Sequence, residues 1–511
     1  MPKLRFIGAL VVAALALGAM PLSSATGGTG DMKTYLVVFK GDYALDGTYA
    51  LGGNYALNHD YALSLVKTAG GTVTADLSKQ IGVMVVQSPN ALFDETMRTY
   101  ALVEEAAEDF KWKAFPTYRE ALDSGQLTLV DASHEGGGVP GSGPQAHNDP
   151  LEPMQWSMRL IRAPEAHLKQ AGSPLVDVGI LDSGIDAQHA DLHNVDCARG
   201  RDFVSLGPGI GNPDPCMDNQ FHGTHVAGIV AAQANGVGVV GVAPKVTLVP
   251  VKVCDTAGYC YASSTAAGIT YAGDAKLDVI NMSFFVDDDM FLASTEFKCM
   301  DDPVQRAFRK ANERAIQYAR NQGVVPVAAL GNSNNDLAHP PEPYENDCDV
   351  VPAETQGVIG TMSVGPGSER AYYSNYGFGM TDVAAPGGNS RSTHGEFPGP
   401  CGTQVLSTIP GNLYGCFQGT SMASPHATGV AALIVSQFGR VGTDAGETDV
   451  VMRPQDVESY LQSTTIDLYW DTQSKGYDAC FGNGRVDAVR AVMHDTSVAA
   501  QQVEPCVSGT S

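Results

Sequence analysis

Short apolar runs recur between about residue 149 and residue 492, separated by stretches whose apolar positions return every three to four residues. The runs 176–181, 246–253, 278–283, 324–330 and 358–364 lack polar alternation, which predicts strands buried on both faces. The stretches 222–234, 262–273, 303–322 and 420–438 have helical spacing. Strands alternating with helices predict an α/β domain built on a parallel sheet with helices on both faces.

The pattern changes upstream. Tyr35–Phe39, Thr72–Leu77, Ile81–Val86 and Val103–Ala107 read as strands, and Tyr61–Ala69 and Ala91–Tyr100 as helices. The order β-α-β-β-α-β predicts a small α+β unit of ferredoxin-like arrangement over residues 33–112. Its insert from Tyr43 to Tyr55 is expected to form an exposed loop. The run Asp131–Pro144 is rich in Gly, Pro and Ser, so residues 113–149 are expected to form a flexible linker open to cleavage. The α/β domain then spans 150–495, and 496–511 form a tail.

Composition narrows the compartment and the partners. Lys3 and Arg5 precede the apolar run Ile7–Leu17 and the small residues Ser23-Ser24-Ala25, the pattern of a secretory signal over 1–25. The net charge of −25 argues against nucleic acid and anionic membranes as partners. Ten cysteines, an even number, in an exported chain predict disulfides. Pairing of sequence neighbours closes the shortest loops: 197–216, 254–260, 299–348, 401–416 and 480–506.

Four motifs carry chemistry. The strand 176–181 ends in Asp182-Ser183-Gly184, at the sheet edge where open α/β folds place ligands. Phe221-His222-Gly223-Thr224-His225 opens a helix, a position suited to a general base. Gly419-Thr420-Ser421-Met422-Ala423-Ser424-Pro425-His426 puts a serine at the start of a buried helix, where backbone N–H groups favour a developing oxyanion. Val324–Leu330 ends in Gly331-Asn332. In the chain order Asp, His, Ser these motifs closely resemble those of the subtilisin-like serine proteases, the subtilases.

The resemblance implies a seven-stranded-type parallel sheet and a serine endopeptidase acting on polypeptides. Asp182 then orients His222, His222 moves the proton, Ser421 is the nucleophile, and Asn332 donates to the oxyanion. His225 and His426 are assigned to packing. Val279–Ser283 resembles the strand that pairs with substrate, with Gly258 on the opposite wall and Gly331 nearby. Phe284-Phe285 stands where the family has a small residue and Gly, which predicts a narrowed pocket. The unit 33–112 resembles the inhibitory propeptide of a self-processing zymogen. Asp191, Gln233, Asn235, Val237 and Val239 match segments that hold a structural calcium. Gly482–Ala488 resembles the closing motif of the domain. A secreted, monomeric enzyme is expected. The alternatives are a silent binding protein on the same fold with a blocked cleft, and an esterase, which the absence of a Gly-x-Ser-x-Gly elbow disfavours.

Overall fold

The computed structural model describes residues 30–43, 49–50, 55–130, 147–204, 213–286, 299–339, 348–394, 400–441 and 450–506. The expected signal over 1–25 and the Gly-rich run 131–146 lie outside them. No helix among the described residues is long and apolar enough to cross a membrane.

Seven parallel strands form the central sheet, in the order Arg201–Asp202, Thr247–Lys252, Asp177–Asp182, Val279–Met282, Val325–Ala329, Ile359–Val364, Val383–Pro386. The five strands predicted from apolar runs are all present, with ends within one or two residues. Val383–Pro386 was not foreseen. It is short and ends in proline, and only its place at the sheet edge makes it a strand. Side chains alternate across the sheet. Val178, Ile180, Val279 and Val327 enter one core with the helices His222–Ala231 and Thr420–Phe438. Leu181, Ile280, Met282 and Ala328 enter the other with Ala262–Asp274 and Pro303–Asn321. The strand order reverses between Asp177–Asp182 and Val279–Met282, so a crevice opens at their carboxyl ends.

The upstream unit has the expected element order, with a four-stranded antiparallel sheet in the order Thr72–Leu77, Val83–Ser88, Lys33–Phe39, Val103–Glu108. It sits on the helices Ala262–Asp274 and Pro303–Asn321. Asp109 accepts hydrogen bonds from the Ser263 amide (2.9 Å) and hydroxyl (2.6 Å), capping the first helix. Arg306 pairs with Glu105 at 2.6 Å, and Arg314 pairs with Glu104 while donating to the Phe39 carbonyl at 2.9 Å.

Two expectations are corrected here. The insert 43–55 is not simply an exposed loop. Asp42–Tyr43 pairs with Tyr49–Ala50, and Tyr49 is buried, its hydroxyl donating to the Phe39 and Gly41 carbonyls. The Arg314 guanidinium lies 4.6 Å from its ring, so an aromatic face and a cation from the partner domain hold it in place. The linker 113–149 is likewise ordered over its first part. Lys111–Lys113 pairs with Tyr259–Tyr261, Tyr118–Asp123 is a helix with a capping box on Thr117, and Thr128–Val130 joins the hairpin Val405–Ile409/Leu413–Phe417 as a third strand. Ala121 and Leu127 are buried in the core of the α/β domain, which is why this segment does not behave as a tether.

All five neighbour disulfides form: Cys197–Cys216, Cys254–Cys260, Cys299–Cys348, Cys401–Cys416 and Cys480–Cys506. The last ties the tail back, where Ala500–Gln502 pairs with Asp467–Tyr469.

Candidate active site

Three motifs meet at the sheet crevice. Asp182 is fully buried at the end of its strand, and both its carboxylate oxygens lie 3.0 Å from His222 Nδ1. The Ser183 amide donates to Asp182 Oδ1 at 2.8 Å, fixing the carboxylate plane. His222 starts its helix against this strand end. Gly223 allows the approach, because a Cβ there would overlap the Gly184 carbonyl oxygen. With Nδ1–H donated to Asp182, Nε2 is left as the basic nitrogen; it is buried and has no hydrogen-bond partner.

Ser421 is the second residue of Thr420–Phe438, whose amino end faces the crevice. Its hydroxyl donates to the Ser283 carbonyl at 2.9 Å and not to His222. Pro425 explains the neighbouring contact. It has no N–H to bond the Ser421 carbonyl four residues earlier, so that oxygen accepts the Ser283 hydroxyl at 2.8 Å. Asn281 completes the network: its amide nitrogen donates to Ser283 Oγ at 2.8 Å, and its oxygen accepts from Ser424 (2.8 Å) and Thr428 (2.9 Å). The helix Thr420–Phe438 is thus locked to the strand Val279–Met282 by buried hydroxyls.

Asn332 follows the strand Val325–Ala329 and is exposed to the cleft. Its side-chain oxygen accepts both the amide and the hydroxyl of Thr420, each at 2.9 Å. That fixes the carboxamide orientation and leaves the N–H₂ group as donor, the requirement for oxyanion stabilisation. Asp182, His222, Ser421 and Asn332 are therefore assembled from four separate elements. Burial pushes the two other motif histidines down, His225 to about 3 and His426 to about 4. They stay neutral and bond the Gly415 and Met422 carbonyls, as packing residues do.

Sequence reading missed a hub beneath this site. Asp218 is buried and accepts from Ser183 Oγ (3.0 Å), the amides of Gln220 (2.9 Å), Phe221 (3.1 Å) and Thr224 (2.9 Å), and Thr224 Oγ1 (2.7 Å). It holds Phe221 at φ +117°, a strained conformation for a side-chain-bearing residue, directly before His222. Lys252, buried nearby, donates to the Met217 carbonyl at 3.2 Å and supplies positive charge. Asp218 lies four residues before His222, so its spacing was the one available signal.

The cleft is occupied by the chain itself. Lys111–Lys113 lies antiparallel to Tyr259–Tyr261, and the Ala114 amide donates to the Gly258 carbonyl at 2.9 Å. Gly258 thus forms one wall, as expected from its position. Trp112 is buried against Phe284 and Phe308, with ring centroids 6.2 and 5.3 Å away. The Phe115 ring stacks on His222 with centroids 4.0 Å apart. Burying a ring of this size contributes about 1.5–3 kcal/mol toward holding the segment there. Phe285 turns away from Phe284 and packs near Gly331.

The loop 233–239 wraps on Asp191. The Gln233 amide donates to the Asp191 carbonyl (2.9 Å), the Val239 amide to Asp191 Oδ2 (3.0 Å), and the Asn235 side chain to the Ala190 carbonyl (2.9 Å). Asp149, which the sequence did not single out, accepts the amides of Asn235, Gly236 and Val237. Asp191 Oδ1 and Asp149 Oδ2 are buried without partners. Burial raises Asp191 to about 7 and Asp149 in the same direction, and the Asp149 charge adds to the rise at Asp191. Two buried carboxylate oxygens without partners, one from Asp191 and one from Asp149, are the donor type that suits a hard divalent cation.

Comparison with known proteins agrees with this geometry. The model of the subtilase family (peptidase S8) matches residues 175–484. The chain is 36% identical over 267 residues to the thermophilic serine proteinase of Bacillus sp. (strain AK1), a match covering 52% of this chain and 53% of the relative. It is 33% identical over 284 residues to subtilisin E of Bacillus subtilis (strain 168), covering 56% and 61%. It is 32% identical over 338 residues to the thermostable alkaline protease of Halalkalibacterium halodurans, covering 66% and 73%. The match thus spans little more than half of the first of these relatives. In fold, the chain is similar to the crystal structure of the epidermin leader peptide processing serine protease of Staphylococcus aureus, with a TM-score of 0.63 at 19% identity over 90% of this chain and 98% of that one. A family match over most of the chain, on a seven-stranded parallel sheet with Asp, His and Ser in this order, makes the chain a member of the subtilase family.

Proposed function

We propose that this chain is a secreted serine endopeptidase, made as a self-processing precursor. The observation that carries the reading is the buried Asp182–His222 pair, both carboxylate oxygens 3.0 Å from Nδ1, beside Ser421 at a helix amino end. Ser421 Oγ rotates from the Ser283 carbonyl to His222 and attacks the scissile carbonyl carbon as Nε2 takes its proton. The oxyanion is held by the Ser421 amide and the Asn332 side chain. Collapse breaks the C–N bond, and the leaving amine takes the proton from His222. Water then attacks the acyl ester, gives its proton to His222, and releases the acid and Ser421.

Residues 33–112 act as an inhibitory propeptide in this reading, with the segment that follows them running into the cleft. Support comes from the strand Lys111–Lys113 added to the cleft wall and from Phe115 covering His222. Maturation cleaves within 131–146. The apolar amino-terminal run and the paired cysteines support export. Replacing Asn332 with Ala is expected to slow maturation, followed by intact mass during refolding, by about 10²–10³-fold, the loss typical of one oxyanion donor in subtilisin. An unchanged rate refutes the role of Asn332; no maturation and no peptide hydrolysis by the wild type would sink the endopeptidase reading.

A structural calcium belongs to the same reading, held by Asp191, Asn235, Asp149 and carbonyls of Gln233, Val237 and Val239. When bound it neutralises the two carboxylates and stiffens the loop, taking no part in the chemistry. Excess chelator is expected to lower the melting temperature, and calcium to restore it. An unchanged melting temperature removes the claim.

A further inference from the structure

Two chain segments leave the sheet side by side above the crevice: Ser283–Val286, after Val279–Met282, and Leu330–Asn332, after Val325–Ala329. Their strands are in register, with Met282 opposite Ala328. Phe285 fills the space between them. It is 6% exposed, packs on Ala329, Val350 and Leu337, and its Cδ2 stands 3.5 Å from where a Cβ on Gly331 would be.

The site geometry says what this space is for. The attacked carbonyl carbon must lie at Ser421 Oγ, with its oxygen toward Asn332. The Ser283 carbonyl accepts Ser421 Oγ in the resting site; once that hydroxyl turns to His222, the carbonyl is open to the amide N–H of the same residue. His222 occupies the side from which the amine departs. These constraints direct the side chain of the residue before the scissile bond between the two segments, into the volume held by Phe285.

We propose that Phe285 closes this pocket and restricts cleavage to peptide bonds that follow a small residue, Gly, Ala or Ser. The proposal rests on the endopeptidase reading and names its substrate class. A second observation carries it independently. The segment that threads the cleft has an aromatic residue at its crevice end, Phe115, and that ring stacks flat on His222 (13° between planes) and does not enter the space beside Phe285. Bulk is taken up farther along, where Trp112 lies on Phe308.

The test is a peptide series that differs only in the residue before the scissile bond, assayed with the matured wild-type protein. The expected kcat/KM is at least about 100-fold higher for Ala than for Phe at that position, a margin that steric exclusion from a filled pocket can supply. Phe285→Gly is expected to close the gap by raising the rate on the Phe peptide. Similar wild-type rates on Ala and Phe peptides would overturn the inference and leave the protease reading intact. Failure to hydrolyse any peptide, with no labelling of Ser421 by a fluorophosphonate, would overturn both. A readout that needs no substitution is the mature amino terminus: it is expected to follow Gly, Ala or Ser, and a terminus following Phe115 would overturn the inference.

Discussion

The Ser421→Ala chain is expected to fold, to keep residues 33–112 attached and to hydrolyse peptides about 10⁶-fold more slowly than wild type, the loss seen when the nucleophile of subtilisin is removed. The fold should survive because the substitution deletes one hydroxyl whose described bond is to the Ser283 carbonyl. A single such bond is worth about 1 kcal/mol. The contact that locks the helix, Ser283 Oγ to the Ser421 carbonyl, uses backbone and remains. Refolding both chains without residues 1–25 and comparing intact masses checks the prediction. Wild type should lose everything up to a point within 131–146, and the variant should stay whole. Cleavage of both at equal rates refutes the role of Ser421. Cleavage of neither leaves a folded chain with an occupied cleft, which is the silent binding-protein alternative.

The Asp182→Asn substitution is expected to lower kcat by about 10⁴-fold with little change in KM, since the loss falls on the transition state. The carboxylate is fully buried and faces His222 Nδ1 with both oxygens. An amide presents a donor there, favours the tautomer with the proton on Nε2, and leaves the imidazolium without a counter-charge. The Ser183 amide can still donate to the side-chain oxygen, so the strand end is kept. The variant would be matured by a tagged wild-type protein that is removed before assay. A loss confined to KM would assign Asp182 to substrate binding instead.

Much of the site was legible because its parts are local. Asp182 ends a buried apolar run, His222 and Ser421 open helices beside glycines, and Asn332 follows a Gly at a strand end. Each is a backbone position with its own sequence signature. The five disulfides join sequence neighbours and were readable for the same reason. The resemblance to subtilases added the roles that spacing could not supply.

What sequence left open depends on closeness in space. Residues 113–130 read as a tether because they run into the Gly-, Pro- and Ser-rich stretch Asp131–Pro144, yet Ala121 and Leu127 find a place in a core built by strands and helices far along the chain. Asp149 and Asp191 are separated by 42 positions, from 149 to 191, and share a site only because the loop 233–239 touches both. Phe285 was visible as a departure from the family pattern, but whether it points into the cleft or into the crevice by Gly331 is a matter of packing against Ala329 and Val350. The sequence by itself determined the five inner strands of the sheet, the helix starts and the candidate reacting groups, because these follow from local periodicity and backbone preference. Only the tertiary structure decided which carboxylates lack partners, where Phe285 packs and what covers His222, because those follow from which surfaces exclude water against one another.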